Sequence, residues 1–215
     1  MASFDVILRT RASLHPCGEP DEFVSAYDGV ITCTDDVTGR SKNVGRVHAL
    51  KVHASRAAEL GESLFDVCDC HSQELHLLHT LLYEPTGYGF RDPIVGMFDA
   101  VEWDLLVLDY VVLAPKWRGL KIGLLAVRKM VDLLGGGCGL AVSLIAPLRP
   151  DAHGLLRVPP TWIPETTGKQ CRREAAVKLR QYFRRMGFVR LGRTPYYALP
   201  MMRTTPPAEK LLEPE

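Results

Sequence analysis

The sequence lacks any apolar run approaching the roughly 20 residues that a membrane-spanning helix requires. Its most apolar stretch, residues 105–113, is interrupted by Asp109. Residues 1–13 also lack the long apolar segment that a secretory signal peptide contains. From these absences we expect a cytoplasmic protein that has no membrane partner.

The chain also lacks an excess of charge of either sign. Its 26 lysines and arginines stand against 25 aspartates and glutamates, which leaves a formal net charge of +1. This balance gives no reason to expect nucleic acid or another polyanion as a partner. The six cysteines are an even number, but 215 residues can bury a core without disulfides, so we expect reduced thiols.

A recognisable metal motif is missing as well. Cys68, Cys70 and His71, with His76 and His79 nearby, are ligand types that suit zinc. Their spacing matches no zinc pattern, and a predicted helix break separates Cys68 from His71. We interpret them as buried thiols and surface histidines and predict no metal site.

The first half of the chain predicts a β-hairpin followed by two helices. Residues 24–53 alternate in part between apolar and polar positions, around a polar loop at residues 35–43. Helical spacing follows, with Ser55 as the expected N-cap of a first helix that includes Val67. Ser72 is the expected N-cap of a second helix.

The second half predicts a strand–helix–strand unit. Residues 105–113 form a continuous, β-branched apolar run, which is typical of a strand buried on both faces. An amphipathic helix follows and stops at the glycines from residue 135, and residues 140–146 have the pattern of the next strand. The two strands should therefore be parallel and joined by a right-handed crossover.

The remaining residues predict three further segments. Residues 147–170 are rich in proline and are expected to form an irregular insertion. A helix is predicted over residues 172–186, ahead of short strands at 188–191 and 196–199. We assign residues 1–202 to one domain and residues 203–215 to a mobile, polar tail.

The turn at residues 118–123 has the features of a phosphate-binding site. Gly119 and Gly123 would allow close approach of the main chain to a ligand. The unpaired amides and the dipole at the start of the next helix favour an anion, and Arg118 and Lys121 add positive charge. The segment matches neither the P-loop nor the dinucleotide fingerprint, so another phosphate compound is indicated.

Two motifs in the correct order resemble the GNAT (general N-acetyltransferase) superfamily. Residues 113–123, Leu-Ala-Pro-Lys-Trp-Arg-Gly-Leu-Lys-Ile-Gly, resemble its signature [Arg/Gln]-x-x-Gly-x-[Gly/Ala], with Arg118 and Gly123 at the first and last positions. Residues 178–188 resemble its last helix, which ends in Gly-Phe. The resemblance covers about residues 104–200. It implies an α/β (α+β) fold with a mixed, centrally splayed β-sheet that is flanked by helices on both faces.

The resemblance further implies acetyl transfer from acetyl-CoA (CoA) to an amine of a small molecule or peptide, by direct attack. The cofactor's pantetheine would lie between the two parallel strands and bond to the main chain of Val111 and Leu113. The residues implied for the pyrophosphate are Arg118, Gly119, Leu120, Lys121, Ile122 and Gly123. A homodimer is compatible with this interpretation, and the amine itself is not identified.

Two departures from the family pattern concern the site. Lys121 replaces the family's central glycine, and its side chain could point outward or crowd the cofactor. The family's general-acid tyrosine aligns with Phe183, one residue after Tyr182, so Tyr182 is the candidate acid, with Tyr196 and Tyr197 as alternatives.

Asp109 is the candidate general base, and we expect it on the same strand face as Val107 and Val111. A structural ion pair with an arginine or histidine is the alternative for Asp109, and Glu102 or Asp104 could act through water. For the whole chain, the alternative function is a non-catalytic, GNAT-like acyl-CoA sensor or protein-interaction module.

Overall fold

The computed structural model describes residues 2–12, 19–148, 158–163 and 168–213. Its strands are β1 (Ala2–Thr10), β2 (Val24–Asp35), β3 (Ser41–Val52), β4 (Asp104–Leu113), β5 (Cys138–Leu144), β6 (Val189–Arg190) and β7 (Tyr196–Pro200). Its helices are α1 (Ala54–Leu60), α2 (Leu64–His71), α3 (Gln73–Leu82), α4 (Asp92–Phe98), α5 (Ile122–Leu134), α6 (Lys169–Arg185) and α7 (Ala208–Leu212). The mixed α/β class expected from the sequence is confirmed.

The strands form one seven-stranded sheet in the order β1-β2-β3-β4-β5-β7-β6. The hairpin of β2 and β3 is confirmed, and its turn is closed by Asp35, whose Oδ1 accepts hydrogen bonds from the amides of Val37 and Thr38 at 2.9 Å each. β1, which the sequence patterns did not predict, adds to the edge beside β2. Among the strands of the described residues, only β4 and β5 run parallel to each other, as expected for strands joined through a helix.

The parallel pair separates before either strand ends. β4 pairs with β5 only from Asp104 to Val107, although β4 continues to Leu113. A bulge lies just beyond this point, because Ala49 is opposite Leu108 and His48 is opposite Tyr110. The residue between them, Asp109, is the extra residue of the bulge. Bulges bend and twist a strand, which accounts for the separation at the centre of the sheet.

The bulge also corrects one expectation about side-chain direction. Val107 packs in the core between the sheet and α1–α4, as regular alternation requires. Val111 instead packs against the core that contains α5. Because the extra residue reverses the alternation, Val107 and Val111 lie on opposite faces. The expectation that Asp109 shares a face with Val107 agrees with its contact to His48 on that side, whereas the expectation that Val111 shares this face was wrong.

The two largest apolar clusters of the described residues lie on the two faces of the sheet. Helices α1–α4 cover one face, which we call the α3 face, and bury leucines such as Leu75, Leu78 and Leu82. Helices α5–α7 cover the other, the α5 face, where Leu124, Val127 and Val131 form the predicted apolar stripe. Helices therefore flank both faces.

Three expectations for the first helices require correction. The single helix predicted after Ser55 is two helices, because α1 ends at the left-handed Gly61 and α2 begins after its own N-cap, Ser63. Ser55 caps neither helix, whereas Ser72 caps α3 as predicted. Cys68 and His71 both belong to α2, so no helix break separates them.

The C-terminal elements agree closely with the sequence patterns. α6 ends before Gly187, which has a φ of 94°. The residues of the predicted insertion that the structure describes include a short 3-10 turn at Pro160–Trp162, and 149–157 and 164–167 lie outside the described residues. From residue 203, where the sequence indicates a mobile tail, the chain contains α7 and buries Leu211 against the α5 face.

In the described part of the chain, no helix has the length and apolar character to cross a bilayer. The described cysteines Cys33, Cys68, Cys70, Cys138 and Cys171 are free thiols. Burial raises the pKa of Cys68 to about 12 and that of Cys138 to about 11, so both remain protonated and unreactive.

Candidate functional site

The turn between β4 and α5 has the backbone of a glycine-rich loop. Gly119 and Lys121 both take left-handed conformations, with φ values of 75° and 58°. Lys121 is therefore a lysine in a conformation that favours glycine, at the position where the family pattern has glycine. Leu124 is the first residue after this turn whose amide donates a hydrogen bond to the main chain of the helix start. Its acceptor is the carbonyl of Lys121, at 3.0 Å. The preceding amides lie at the positive end of the α5 dipole.

Gly123 lies in the first turn of α5, next to β4 and to Tyr182 of α6. A Cβ at this position would be 3.2 Å from the hydroxyl oxygen of Tyr182, 3.6 Å from Leu113 Cδ1 and 3.7 Å from Val111 Cγ1. The structure thus brings together four residues assigned to the site from the sequence. Burial raises the pKa of Tyr182 to about 12, against a smaller opposing effect of the Leu124 amide, so the phenol stays protonated at neutral pH.

The basic side chains around this turn bond to main-chain carbonyls. Arg118 donates from Nε to the Leu113 carbonyl at 3.1 Å and from Nη2 to the Trp162 carbonyl. Lys121 Nζ donates to the carbonyl of Leu212 at 2.9 Å and to that of Glu213. The side chain of Lys121 therefore points away from the turn toward the C-terminal segment and does not crowd the amides.

The gap between β4 and β5 opens directly beside the turn. Ser143 Oγ donates to the Leu108 carbonyl at 2.9 Å and thus bridges the two strands one residue beyond their last paired residues, Val107 and Val142. Beyond it, β4 continues to Leu113, and in the described part of the chain it pairs there with β3 alone. The main chain of Val111 and Leu113 therefore borders the gap.

A polar cluster, which we define as His48, Glu74, Asp109, Tyr110 and Tyr196, borders the gap on the α3 face. Asp109 Oδ2 lies 2.9 Å from His48 Nδ1, and their side chains are 25% and 18% exposed. The Tyr110 ring stacks on the His48 ring with centroids 5.6 Å apart. Asp109 thus has the histidine partner that was the alternative to a free base.

Glu74 and Tyr196 extend the cluster across the gap. Burial raises the pKa of Glu74, the Asp109 carboxylate raises it further, and His48 opposes both. Burial also raises the pKa of Tyr196 to about 12, with a contribution from Glu74. Since His48 and Asp109 lie on β3 and β4 and Tyr196 lies on β7, Glu74 of α3 faces both sides of the opening.

Other candidates named from the sequence lie elsewhere. Asp104 is at the start of β4, where its Oδ1 accepts from the Ser55 amide at 3.0 Å. Burial would raise its pKa, but hydrogen bonds from His53 and Ser55 lower it overall. Glu102 and Trp103 border a shallow depression beside α1, away from the gap. Asp104 is therefore a structural anchor for α1.

The two remaining tryptophans lie near the site. Trp162 packs beside Tyr110 and Val112, so the insertion covers the α3 face of β4 beyond the bulge. Trp117 contacts the ring of Phe4 edge-on, with Lys42 and Lys116 over its own ring. Trp117 thus covers the outside of the turn.

The sequence patterns missed His48 and Glu74 as site residues. Glu74 lies one helical turn before the fully buried Leu78, so its side of α3 faces the sheet. This spacing was an available signal, although Glu74 also suits the first turn of any helix. His48 shows no comparable local signal, because its partner Asp109 is 61 residues away.

Comparison with known proteins finds no protein-family model, curated protein or solved structure that matches this chain. Within the described residues, no group of three or more histidine, cysteine, aspartate or glutamate side chains is placed to hold a metal ion.

Proposed function

We propose that this chain is an acyl-CoA-dependent N-acyltransferase of the GNAT kind, which transfers an acetyl group from acetyl-CoA to an amine. The observation that carries the proposal is the parallel pair of β4 and β5, which separates after Val107 beside the left-handed turn at the start of α5. A helix-start turn suited to an anion, beside a strand edge that no other described strand pairs with, suits a ligand that has both phosphates and amides.

The residues at the turn fit the pyrophosphate of CoA. The amides that precede Leu124 lie at the N-terminus of α5, which is the positive end of the helix dipole. Because residue 123 is glycine, the space beside these amides is not filled by a side chain. The exposed Arg118 adds charge at the rim. The main chain of Val111 and Leu113 would bond to the pantetheine amides.

The candidate general acid and the candidate general bases would then lie on opposite faces of the gap. The bound cosubstrate supplies an activated acyl group as a thioester. Tyr182, protonated on the α5 face, is the candidate donor to the departing thiolate. Proton acceptors for the attacking amine are available on the α3 face, where His48, Asp109 and Glu74 lie.

Calorimetric titration with CoA and with acetyl-CoA tests the cofactor site. We expect micromolar binding of both ligands, and weaker binding when Arg118→Met removes the charge at the turn. Arg193→Met, which alters an exposed arginine beyond β6, is the matched control. Absence of binding by the unaltered chain would overturn the proposal.

A second measurement separates the enzyme from the non-catalytic alternative. Release of free CoA thiol from acetyl-CoA is followed in the presence of benzylamine. Binding with amine-dependent release supports the transferase, whereas binding without release supports an acyl-CoA sensor.

A further inference from the structure

The geometry of the polar cluster points to His48 as the general base of the proposed transfer and to Asp109 as the residue that positions it. This inference rests on the proposed acyltransferase function and assigns a role within it. It assigns proton acceptance to His48 and the orientation of the imidazole ring to Asp109. Of these two residues, the sequence patterns identified only Asp109 as a candidate.

The hydrogen bond determines which nitrogen of His48 is available. Asp109 Oδ2 is 2.9 Å from Nδ1, so the carboxylate favours the tautomer in which Nδ1 carries the proton. Nε2 then holds the lone pair and can accept a proton. A carboxylate in this position also stabilises the imidazolium that forms, as in other carboxylate–histidine pairs.

The pair lies at the point where the gap opens. Asp109 is the extra residue of the bulge, two positions after the last β4 residue that pairs with β5. The Tyr110 ring holds the imidazole from one side by stacking. His48 remains 18% exposed, which leaves the ring a route for releasing its proton to water.

The neighbouring charged groups favour His48 over the two carboxylates as the base. Asp109 already uses Oδ2 in the bond to the ring. Burial and the Asp109 charge raise the pKa of Glu74, which therefore retains its proton to a higher pH than an ordinary glutamate. His71 at the end of α2 also interacts electrostatically with His48: burial lowers the pKa of His71, Asp21 opposes this effect, and His48 lowers the pKa further.

The step balances in protons and electron pairs. A protonated amine gives one proton to Nε2, and its nitrogen lone pair then forms the C–N bond to the thioester carbonyl carbon. The C–S bond breaks with its electron pair on sulfur. The thiolate takes a proton from Tyr182, which recovers the proton lost by the attacking nitrogen, and His48 returns its own proton to solvent.

Two acceptors of different basicity test the assignment. Benzylamine is protonated at neutral pH and needs a base, whereas hydroxylamine is largely neutral and does not. We expect His48→Gln to lower thiol release with benzylamine by about 100-fold or more and to leave release with hydroxylamine within a few-fold. Asp109→Asn should do the same, because its amide can hold the ring in the opposite tautomer.

The pH profile gives the second readout. With benzylamine, the ratio of release by the unaltered chain to release by His48→Gln should change with pH, because the ratio cancels the protonation of the amine itself, whereas with hydroxylamine it should stay near one at every pH. Equal loss with both amines would show a structural role and overturn the assignment, as would an unchanged benzylamine rate. Binding of acetyl-CoA with transfer to neither amine would overturn the assignment and the transferase together.

A separate observation concerns the C-terminal segment, residues 203–213, which lies along α5. Arg128 Nε donates to the Pro206 carbonyl at 2.9 Å, and Leu211 is buried. At its end, Lys121 Nζ bonds to the carbonyls of Leu212 and Glu213. Arg185 donates to the carbonyls of Leu211 at 3.2 Å and of Glu213 at 2.8 Å.

These contacts place carbonyl oxygens on two cations beside the proposed phosphate site. We infer that the segment competes with the phosphates of CoA for Lys121 and Arg185 and acts as a removable strap. This second inference also depends on the proposed function. Phosphate oxygens bond to lysine and arginine more strongly than neutral carbonyls do, so CoA should displace the strap at a cost in affinity.

Trypsin cleavage after Lys210 of the unaltered chain reports displacement directly, since Lys210 lies in α7. We expect CoA to accelerate this cleavage. A chain ending at Arg203 and the full-length variant Leu211→Ser should both bind CoA about tenfold more tightly. Unchanged cleavage together with unchanged affinity would overturn the strap but leave the cofactor site intact. Absence of CoA binding by every chain would overturn both.

Discussion

The two sides of the gap between β4 and β5 present different chemical groups: main-chain groups on one side and titratable side chains on the other. On the α5 face, the site consists of main-chain amides and of the space left by Gly123. On the α3 face, it consists of titratable side chains such as His48, Asp109 and Glu74. A main-chain site is damaged by added atoms, whereas a side-chain site is damaged by removed ones. Substitutions can test this difference directly.

The largest effect is expected from Gly123→Val. Its Cβ would lie 3.2 Å from the Tyr182 hydroxyl, and its methyl groups would enter the space proposed for the pyrophosphate. Affinity for CoA should fall by about 100-fold or more, or about 3 kcal/mol, in calorimetric titration.

Gly136→Val is the matched control, because a Cβ there has no neighbour within 4 Å. Circular dichroism should show that both variants fold. Equal affinity of the two variants for CoA would contradict a main-chain site at this turn.

Lys121 tests the backbone of the turn. Its φ of 58° is accessible to glycine but costly for a β-branched residue. We expect Lys121→Val to lower the free energy of unfolding by about 1–2 kcal/mol more than Lys121→Gly does, as measured with urea. Both variants lose the bonds from Nζ, so their difference isolates the backbone. Equal stability would mean that the left-handed conformation carries no strain.

Ser143→Ala tests the point where the two strands part. The variant leaves the Leu108 carbonyl without its 2.9 Å bond from the buried hydroxyl. The free energy of unfolding should fall by about 1 kcal/mol. Ser41→Ala, at the exposed start of β3, should change it little. If Ser143→Ala were as stable as this control, the hydrogen bond from Ser143 to Leu108 would not stabilise the contact between β4 and β5.

The smallest effect is expected from Glu74→Gln. Because the folded-state pKa of Glu74 is raised above 4.5, its contribution to stability is present at low pH and is lost as pH rises through the folded value. The glutamine variant should therefore be more stable than the unaltered chain at neutral pH, by less than about 1 kcal/mol.

This difference should vanish below the ordinary glutamate pKa of 4.5. Urea midpoints at the two pH values measure it, with Glu59→Gln on the exposed side of α1 as the control. A difference that persisted at low pH would point to packing rather than charge.

The elements around the α5 face were predictable because their signals are local. The apolar run of β4, the stripe of α5 and the glycines of the turn all fall within about thirty residues and follow from periodicity and backbone preference. Tyr182 was also identified, and the structure places its hydroxyl beside Gly123. Residue spacing alone could not show that Tyr182 of α6 contacts Gly123 of α5.

The α3 face was only partly predictable, since its bulge depends on pairing between strands. Strand alternation placed Asp109 with Val107 and Val111, but an extra residue in β4 turns Val111 to the other face. The short α1 and α2 were merged for a related reason. Gly61 interrupts an apolar spacing that continues across both helices.

By itself, the sequence determined the strand–helix–strand unit of β4, α5 and β5, the parallel direction of its two strands and the glycine-containing turn before α5. These properties depend on neighbours within a few residues, where periodicity and backbone geometry act. The tertiary structure decided the pairing of His48 with Asp109 across 61 residues and that of Lys121 with Leu212 across 91. Contacts at such separations arise only when packing brings distant segments together, because no local pattern encodes which polar side chains will meet.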